Sequence, residues 1–176
     1  MGEGAPLRVK FSVNVVFKAD PGPAPKRKSA LLARAVRKAL PRARGEVNLV
    51  FVGGPEIIRL NKSFLGKSHR TDVIAFNYQA CPDPASDKPH SGFLRPCGPH
   101  AASTGGRSKG WSSPFGDIFV CLPQARRQAR ELGHPLDREL LLLALHGALH
   151  LAGMDDDTAA RRAAMHRKAE KLADGL

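Results

Sequence analysis

The chain has 176 residues and a formal charge of +12, with 28 lysines and arginines against 16 aspartates and glutamates. This length suits one domain with a hydrophobic core, and the sequence has no apolar run of about 18 residues that would cross a membrane. Its first residues, MGEGAPLRVKF, lack the basic and then apolar layout of a secretory signal, so we expect a soluble, cytoplasmic protein.

The positive charge is concentrated in the first quarter of the chain. Residues 1–46 contain eleven lysines and arginines but three acids, and residues 21–45 contain no acid at all. A basic block of this kind favours an anionic partner, of which nucleic acid is the commonest. The alternative is a solvated helix face in a protein that is basic throughout.

In chain order, the hydrophobic pattern first predicts two strands that are each followed by a helix. The segment 8–17 (RVKFSVNVVF) alternates and is rich in β-branched residues, as a strand is, and 29–40 (SALLARAVRKAL) is an amphipathic helix with a basic outer side. The segment 46–53 (EVNLVFVG) is a second strand. A helix with proline at its start and glycine at its end follows at 55–66.

The second half of the chain begins with a predicted strand at 71–78 (TDVIAFNY). Residues 79–114 then contain six prolines, five glycines and six serines, a composition that predicts a flexible insertion. A further strand and three helices are predicted at 116–122, 123–133, 135–153 and 158–173. Four short strands and about five helices that do not strictly alternate predict a single α+β domain spanning 1–176, with a small mixed sheet.

The cysteines provide little evidence of a site. Cys81, Cys97 and Cys121 are too few and too scattered for a disulfide framework, and we expect reduced thiols. Cys81 and Cys97 have His90 and His100 near them, a combination that can bind zinc. Their spacing matches no common zinc motif, which argues against a site there.

The stretch HGALHLAGMDD, residues 146–156, carries the clearest chemical signal. The helix that contains it is apolar on almost every side and should be buried, so a histidine on it needs a partner. His146 and His150 are about one turn apart and project from the same face. That arrangement allows two imidazole nitrogens to bind one metal ion.

The residues after His150 suggest a third ligand. Gly153 allows the chain to leave the helix through a left-handed cap, and the turn can bring Asp156 back toward the same ion. Three protein ligands leave one tetrahedral position of zinc open to water, as in catalytic zinc sites. The alternative is structural, because the last helix needs an N-cap that Asp155, Asp156 or Asp157 could supply.

The spacing HxxxHxxGxxD is also that of zinc proteases, whose extended motif has a glutamate directly after the first histidine. That glutamate acts as the general base of the protease. In this chain the position is Gly147, which cannot accept a proton. A peptidase of that kind is therefore not expected.

Several stretches line up in order with one family. HGALHLAGMDD is similar to HGxLHLxGYDH, TDVIAFNY to TDVLSFPY, and GDIFVCLPQARRQARELGHPLDREL to a GDI strand with the helix that follows it. RLNKSFLGKSHRTDV and MHRKAEKL match two further segments, and together the matches cover residues 45–172 apart from the insertion. The chain thus resembles the YbeY family of metal-dependent endoribonucleases, which act in ribosomal RNA maturation.

The resemblance implies an RNA substrate and one zinc ion bound by His146, His150 and Asp156. It also implies ribosomal RNA and the small ribosomal subunit as partners, and a sheet of about four strands. Asp156 departs from the family pattern, which has histidine at this position. A carboxylate is a legitimate zinc ligand, but its negative charge would weaken the ion as a Lewis acid.

The segment before the third strand departs from the family as well. A family arginine falls on Leu65, so its role is unfilled at that position. We expect Lys67, His69 and Arg70, which follow closely in sequence, to contact RNA phosphate instead. The catalytic acid and base are not assigned, because no second base is evident.

Two alternatives to an endoribonuclease stay open. In the first, the chain is a non-catalytic ribosome-binding or RNA-binding assembly factor whose metal only braces the last two helices. The missing base and the departure at Leu65 favour it. In the second, the chain hydrolyses another substrate, although Gly147 argues against a peptide.

The basic residues of 26–44 predict that RNA binding depends strongly on salt, because each neutralised phosphate releases counterions. We expect the affinity for a single-stranded RNA oligonucleotide, measured by fluorescence anisotropy, to fall steeply between low and moderate salt. An affinity that stays flat over this range would show that the basic block makes no phosphate contact.

Overall fold

A computed structural model describes residues 11–78 and 114–176 of the chain. The predicted insertion at 79–114, apart from its last residue, lies outside these ranges, as do the first three residues of the strand predicted at 8–17. Cys81, Cys97 and their neighbouring histidines also lie outside them. Cys121 is described, and it is a free, buried thiol.

The described residues form one four-stranded mixed sheet. Its strands are β1 (Ser12–Phe17), β2 (Glu46–Val52), β3 (Val73–Asn77) and β4 (Pro114–Cys121). The order across the sheet is β1-β2-β4-β3, in which β1, β2 and β4 run parallel and β3 pairs antiparallel with β4 at the edge. The predicted α+β fold class with a small mixed sheet is confirmed.

Six helices accompany this sheet within the described ranges. They are α1 (Pro23–Arg27), α2 (Ser29–Ala39), α3 (Gly54–Leu65), α4 (Leu122–Glu131), α5 (Leu136–Leu151) and α6 (Ala159–Asp174). Five agree with the predicted helices to within two residues at either end. The short α1 is additional, and a proline in its first turn favours it because the ring holds φ near the helical value. Among the described helices, none is long and apolar enough to span a bilayer.

Side chains of the central strands alternate between two hydrophobic layers. On β2, Val47 and Leu49 point into the larger core with α2 and α5. Val50 and Val52 point to the opposite face, where they pack with Ile57 of α3. A strand with both faces covered carries apolar residues at successive positions, which explains the nearly continuous apolar run of β2.

The central helix of the larger core is α5, which contacts α2, α4, α6 and the sheet. Ten of its 16 residues are buried, as its apolar sequence predicts. Two of the ten are polar, namely Glu139 and His150. Burial of such groups costs free energy unless each has a hydrogen-bond partner.

Two glycines allow α5 to lie directly on the sheet. A Cβ atom on Gly147 would be 2.4 Å from Cγ2 of Ile118 on β4. A Cβ atom on Gly116 of β4 would be 2.4 Å from the carbonyl oxygen of Phe76 and 2.9 Å from a methyl carbon of Leu151. Even a methyl group at Gly147 would overlap Ile118, so the much larger protease glutamate that the motif lacks has no space in this fold.

We expect Gly147→Ala to lower the free energy of unfolding by about 1–3 kcal/mol, because the added methyl group overpacks the contact between α5 and β4. Urea unfolding followed by circular dichroism measures the change. Ile118→Ala removes the clashing methyl group, so the double variant should be more stable than the sum of the single effects predicts. Purely additive effects would show that this contact does not limit the approach of α5.

Candidate metal centre

The C-terminal end of α5 turns the chain back toward its own histidines. Gly153 has a φ of 91°, its N–H donates to the carbonyl oxygen of His150 at 2.9 Å, and the N–H of Met154 donates to that of Leu149 at 3.0 Å. These two bonds form the Schellman motif, in which glycine takes the left-handed position. The glycine cap expected from the sequence is therefore present.

The N-cap of α6 is Thr158, whose hydroxyl oxygen accepts a hydrogen bond from the N–H of Arg161 at 3.2 Å. The neighbouring Asp157 carboxylate binds the guanidinium group of Arg161 at 2.9 and 3.1 Å. Thr158 thus fills the capping role that the sequence left open among three aspartates. The carboxylate of Asp156 lies instead beside the histidines of α5.

His146, His150 and Asp156 converge on one point. The Nε2 atoms of the two histidines are 3.1 Å apart, and Oδ2 of Asp156 lies 3.6 Å from Nε2 of His146 and 4.0 Å from Nε2 of His150. In a tetrahedral zinc site with bonds of about 2.0–2.1 Å, ligand atoms are roughly 3.3 Å apart. The three donors fit such an ion with shifts smaller than about 1 Å.

A backbone carbonyl orients His150. Its Nδ1 lies 3.1 Å from the carbonyl oxygen of Met154, and Nδ1–H is the donor because a carbonyl only accepts. In the neutral imidazole Nε2 then carries the lone pair, and Nε2 faces Nε2 of His146. Metal-binding histidines commonly donate their other ring nitrogen in this way, which fixes the ring and its tautomer. The Schellman turn that places Met154 therefore also orients a candidate ligand.

The electrostatic environment keeps His146 in the form that binds metal. Burial and, secondarily, the neighbouring His150 lower the pKa of His146, while the carboxylates of Asp156 and Asp72 oppose this effect. A lowered pKa leaves the imidazole neutral at neutral pH. Neutral imidazole is the state required of a ligand, because a protonated nitrogen has no lone pair to donate.

A cavity of about 370 Å³ opens beside His146 and Asp156. It lies among α4, α5, α6 and the residue before β3. Two of the three candidate ligands, His146 and Asp156, contribute to its wall. Its other polar lining residues are Asp72, Gln128, Glu139, Arg162 and His166. Sequence reasoning missed these five. Asp72 and His166 lie in the segments TDVIAFNY and MHRKAEKL, but nothing in either segment indicates that it meets the histidine motif.

Polar contacts hold two of the cavity carboxylates in place. Asp72 accepts from Nε2 of Gln128 at 3.0 Å and from the N–H of Val73 at 2.8 Å. Glu139 lies 3.1 Å from Nε2 of His134. Burial raises the pKa of Glu139, and the partner His134 opposes the shift.

The loop between α3 and β3 contains the predicted RNA contacts Lys67, His69 and Arg70. All three residues are exposed, and none contributes to the described wall of the cavity. The loop is anchored by buried Asn61, whose Nδ2 donates to the carbonyl oxygen of His69 at 2.7 Å. The guanidinium group of Arg70 lies over Gly54, at the start of α3. RNA contact by these residues stays a prediction.

The fold itself uses part of the basic block at 26–44. Lys28 forms an ion pair with Asp137 in the first turn of α5. Arg34 and Lys38 of α2 donate to backbone carbonyl oxygens at the end of the chain, after α6. Only part of the charge of the block is thus available to an external anion, and the exposed arginines there include Arg27, Arg37 and Arg42.

Comparison with known proteins places the chain in a family. The family model described as endoribonuclease YbeY matches residues 25–176. The chain is 40% identical to the Endoribonuclease YbeY of Elusimicrobium minutum over 156 residues, which are 87% of this chain and 91% of that protein. It is 38% identical to that of Moorella thermoacetica over 131 residues, 74% of this chain and 72% of that protein.

The fold has a counterpart among solved structures. The solution structure of a Thermotoga maritima protein superposes with a TM-score of 0.51 at 22% identity and covers 93% of this chain and 89% of that chain. At this identity the likeness concerns the fold alone. The match to the family model and the curated relatives carry the assignment: the chain belongs to the endoribonuclease YbeY family.

Proposed function

We propose that the chain is a zinc-dependent endoribonuclease that cleaves single-stranded RNA during ribosomal RNA processing and maturation of the small ribosomal subunit in the cytoplasm. The convergence of His146, His150 and Asp156 beside a cavity is the observation that carries this proposal. Two imidazoles and one carboxylate are donors that suit zinc. Membership of the endoribonuclease YbeY family supports RNA as the substrate.

Each of the three side chains has a distinct part in the proposed site. His146 and Asp156 line the cavity, so a phosphodiester in the cavity lies next to them. His150 is more deeply buried and is oriented by its bond to the Met154 carbonyl. A divalent ion held there supplies Lewis-acid stabilisation of negative charge on a phosphate oxygen.

The carboxylate of Asp156 changes the charge of the site. With two neutral imidazoles and one carboxylate, a bound divalent ion retains one net positive charge. A third imidazole would leave both charges, so Asp156 weakens attraction for the phosphate anion. Other cations around the cavity must offset this loss if RNA is to bind well.

We expect the purified protein to contain about one zinc ion per chain, and His150→Ala and Asp156→Ala to lose it, because each removes one of three ligands. Elemental analysis measures the metal content. Asp157→Ala is the matched control, since Asp157 is adjacent but binds Arg161. Zinc retained in Asp156→Ala and lost in His150→Ala would show that Asp156 is not a ligand, and zinc in none of the proteins would contradict the metal site.

We expect His146→Ala to slow cleavage of a single-stranded RNA by more than the roughly 10–100-fold that loss of an outer-shell partner causes. The substrate is an oligonucleotide with the sequence of an immature small-subunit ribosomal RNA end, followed by gel electrophoresis. Unrelated single-stranded RNA serves as the comparison for substrate preference. Full activity together with full metal content in His146→Ala would contradict the proposed site.

Removal of the metal distinguishes a catalytic ion from an ion that only stabilises the packing of α5 and α6. For a catalytic ion we expect a chelator to abolish cleavage while the melting temperature, measured by circular dichroism, changes little. An ion that only braces α5 and α6 contributes to folding free energy, so its removal lowers the melting temperature strongly. A large loss of stability in a wild-type protein that cleaves no RNA would favour the non-catalytic assembly factor.

A further inference from the structure

Two basic side chains of α6 line the cavity beside the candidate metal ligands. Arg162 and His166 lie four residues apart, so they project from the same side of the helix. Nη2 of Arg162 also donates to the backbone carbonyl oxygen of Asp156 at 3.3 Å. This bond holds the guanidinium group next to the turn that carries the third candidate ligand.

The basic residues adjacent to them on α6 are placed differently. The guanidinium group of Arg161 binds Asp157, at 2.9 Å from its carboxylate. Neither Arg161 nor Arg167 belongs to the described lining of the cavity. Arg162 and His166 therefore differ from the other basic residues of α6 in that their side chains line the cavity.

The remaining charges of the cavity are mainly negative. Asp72, Glu139 and Asp156 all contribute carboxylates to its wall. Glu139 is paired with His134, and Asp72 accepts from an uncharged amide. Even without Glu139, the carboxylates of Asp72 and Asp156 would offset the charge of one divalent ion, so that little attraction for an anionic phosphodiester would remain. Its binding requires cationic donors inside the cavity.

We propose that Arg162 and His166 form the phosphate-binding wall of the RNA site and contact the backbone of the strand beside His146 and Asp156. Arginine suits this role because its planar guanidinium group presents several N–H donors that match phosphate oxygens. The imidazole of His166 lies one turn away. Its Nδ1 is 3.5 Å from a carboxylate oxygen of Glu170, and its Nε2 donates to phosphate when the ring is protonated. This inference rests on the proposed function, because it takes RNA as the substrate.

Binding of a fluorescent single-stranded RNA to the metal-loaded protein tests the role of Arg162, with anisotropy as the readout and RNA integrity checked on gels. We expect Arg162→Ala to weaken binding about tenfold or more, since a charge-assisted hydrogen bond is lost. The slope of log affinity against log salt should fall by about 0.7, corresponding to one phosphate contact. Arg161→Ala, which removes the same charge one residue away, should change the affinity less than about twofold.

His166→Ala and Arg167→Ala form a second matched pair. If only the overall charge of α6 mattered, the loss of Arg167 would weaken binding at least as much as the loss of His166. The proposal requires the opposite order, because His166 lines the cavity and Arg167 does not. Metal content and melting temperature are measured for all four variants, so that a defect in folding or in the metal site is recognised.

Weaker RNA binding in both cavity variants, with unchanged metal content and unchanged binding in both controls, establishes the phosphate-binding wall. Equal effects of Arg161→Ala and Arg162→Ala overturn it. So does loss of metal in Arg162→Ala with normal binding in His166→Ala, since Arg162 would then only brace the Asp156 turn. A wild-type protein that neither binds nor cleaves RNA overturns the proposed function itself, and the inference falls with it.

Discussion

The close contact between Gly147 of α5 and Ile118 of β4 is the constraint on which the candidate metal centre depends. It brings the backbone of the central helix against the sheet at one residue. Because a helix turns about 100° per residue, the side chain of the preceding His146 then lies at the side of α5, where it lines the cavity next to α6. The same glycine explains why a glutamate base of the protease kind has no place in this fold.

The turn after α5 completes the centre with few residues. Gly153 reverses the chain, Met154 supplies the carbonyl oxygen that orients His150, and Asp156 reaches the two histidines. Thr158 then caps α6 with its own hydroxyl group, so the nearby carboxylates do not have to. A single stretch of chain thus provides all three candidate ligands. Because other groups satisfy the ends of α5 and α6, the side chain of Asp156 is not needed as a helix cap.

The cavity combines opposite charges at short range. Carboxylates from the residue before β3, from α5 and from the turn before α6 meet basic side chains of α6. The amide of Gln128 holds Asp72, and Glu139 lies against His134. Asp156 lowers the positive charge of the site relative to an imidazole. Arg162 binds the backbone of that same residue and so adds a positive charge where the aspartate removes one. This balance is appropriate for an anionic substrate.

Much of this protein could be predicted from the sequence because the relevant interactions are local. Alternating and helical periodicities indicated the mixed α+β fold, together with the four strands and five of the six helices in the part of the chain that the structure describes. The spacing of His146 and His150 placed two imidazoles on one helix face, and Gly153 indicated the left-handed cap. Strand pleating, helix pitch and glycine conformations involve only a few neighbouring residues. The composition and spacing of a short segment therefore indicate them.

Only the tertiary structure decided which distant side chains meet at the site. Asp72 and Gln128 are separated from the histidines in sequence, and their place in the cavity follows from strand order and from how α4 packs on α5. The capping role of Thr158 and the ion pair of Lys28 with Asp137 were equally undetermined by sequence. Such contacts depend on how whole helices and strands pack against one another. The spacing of residues along a single sequence does not indicate that packing.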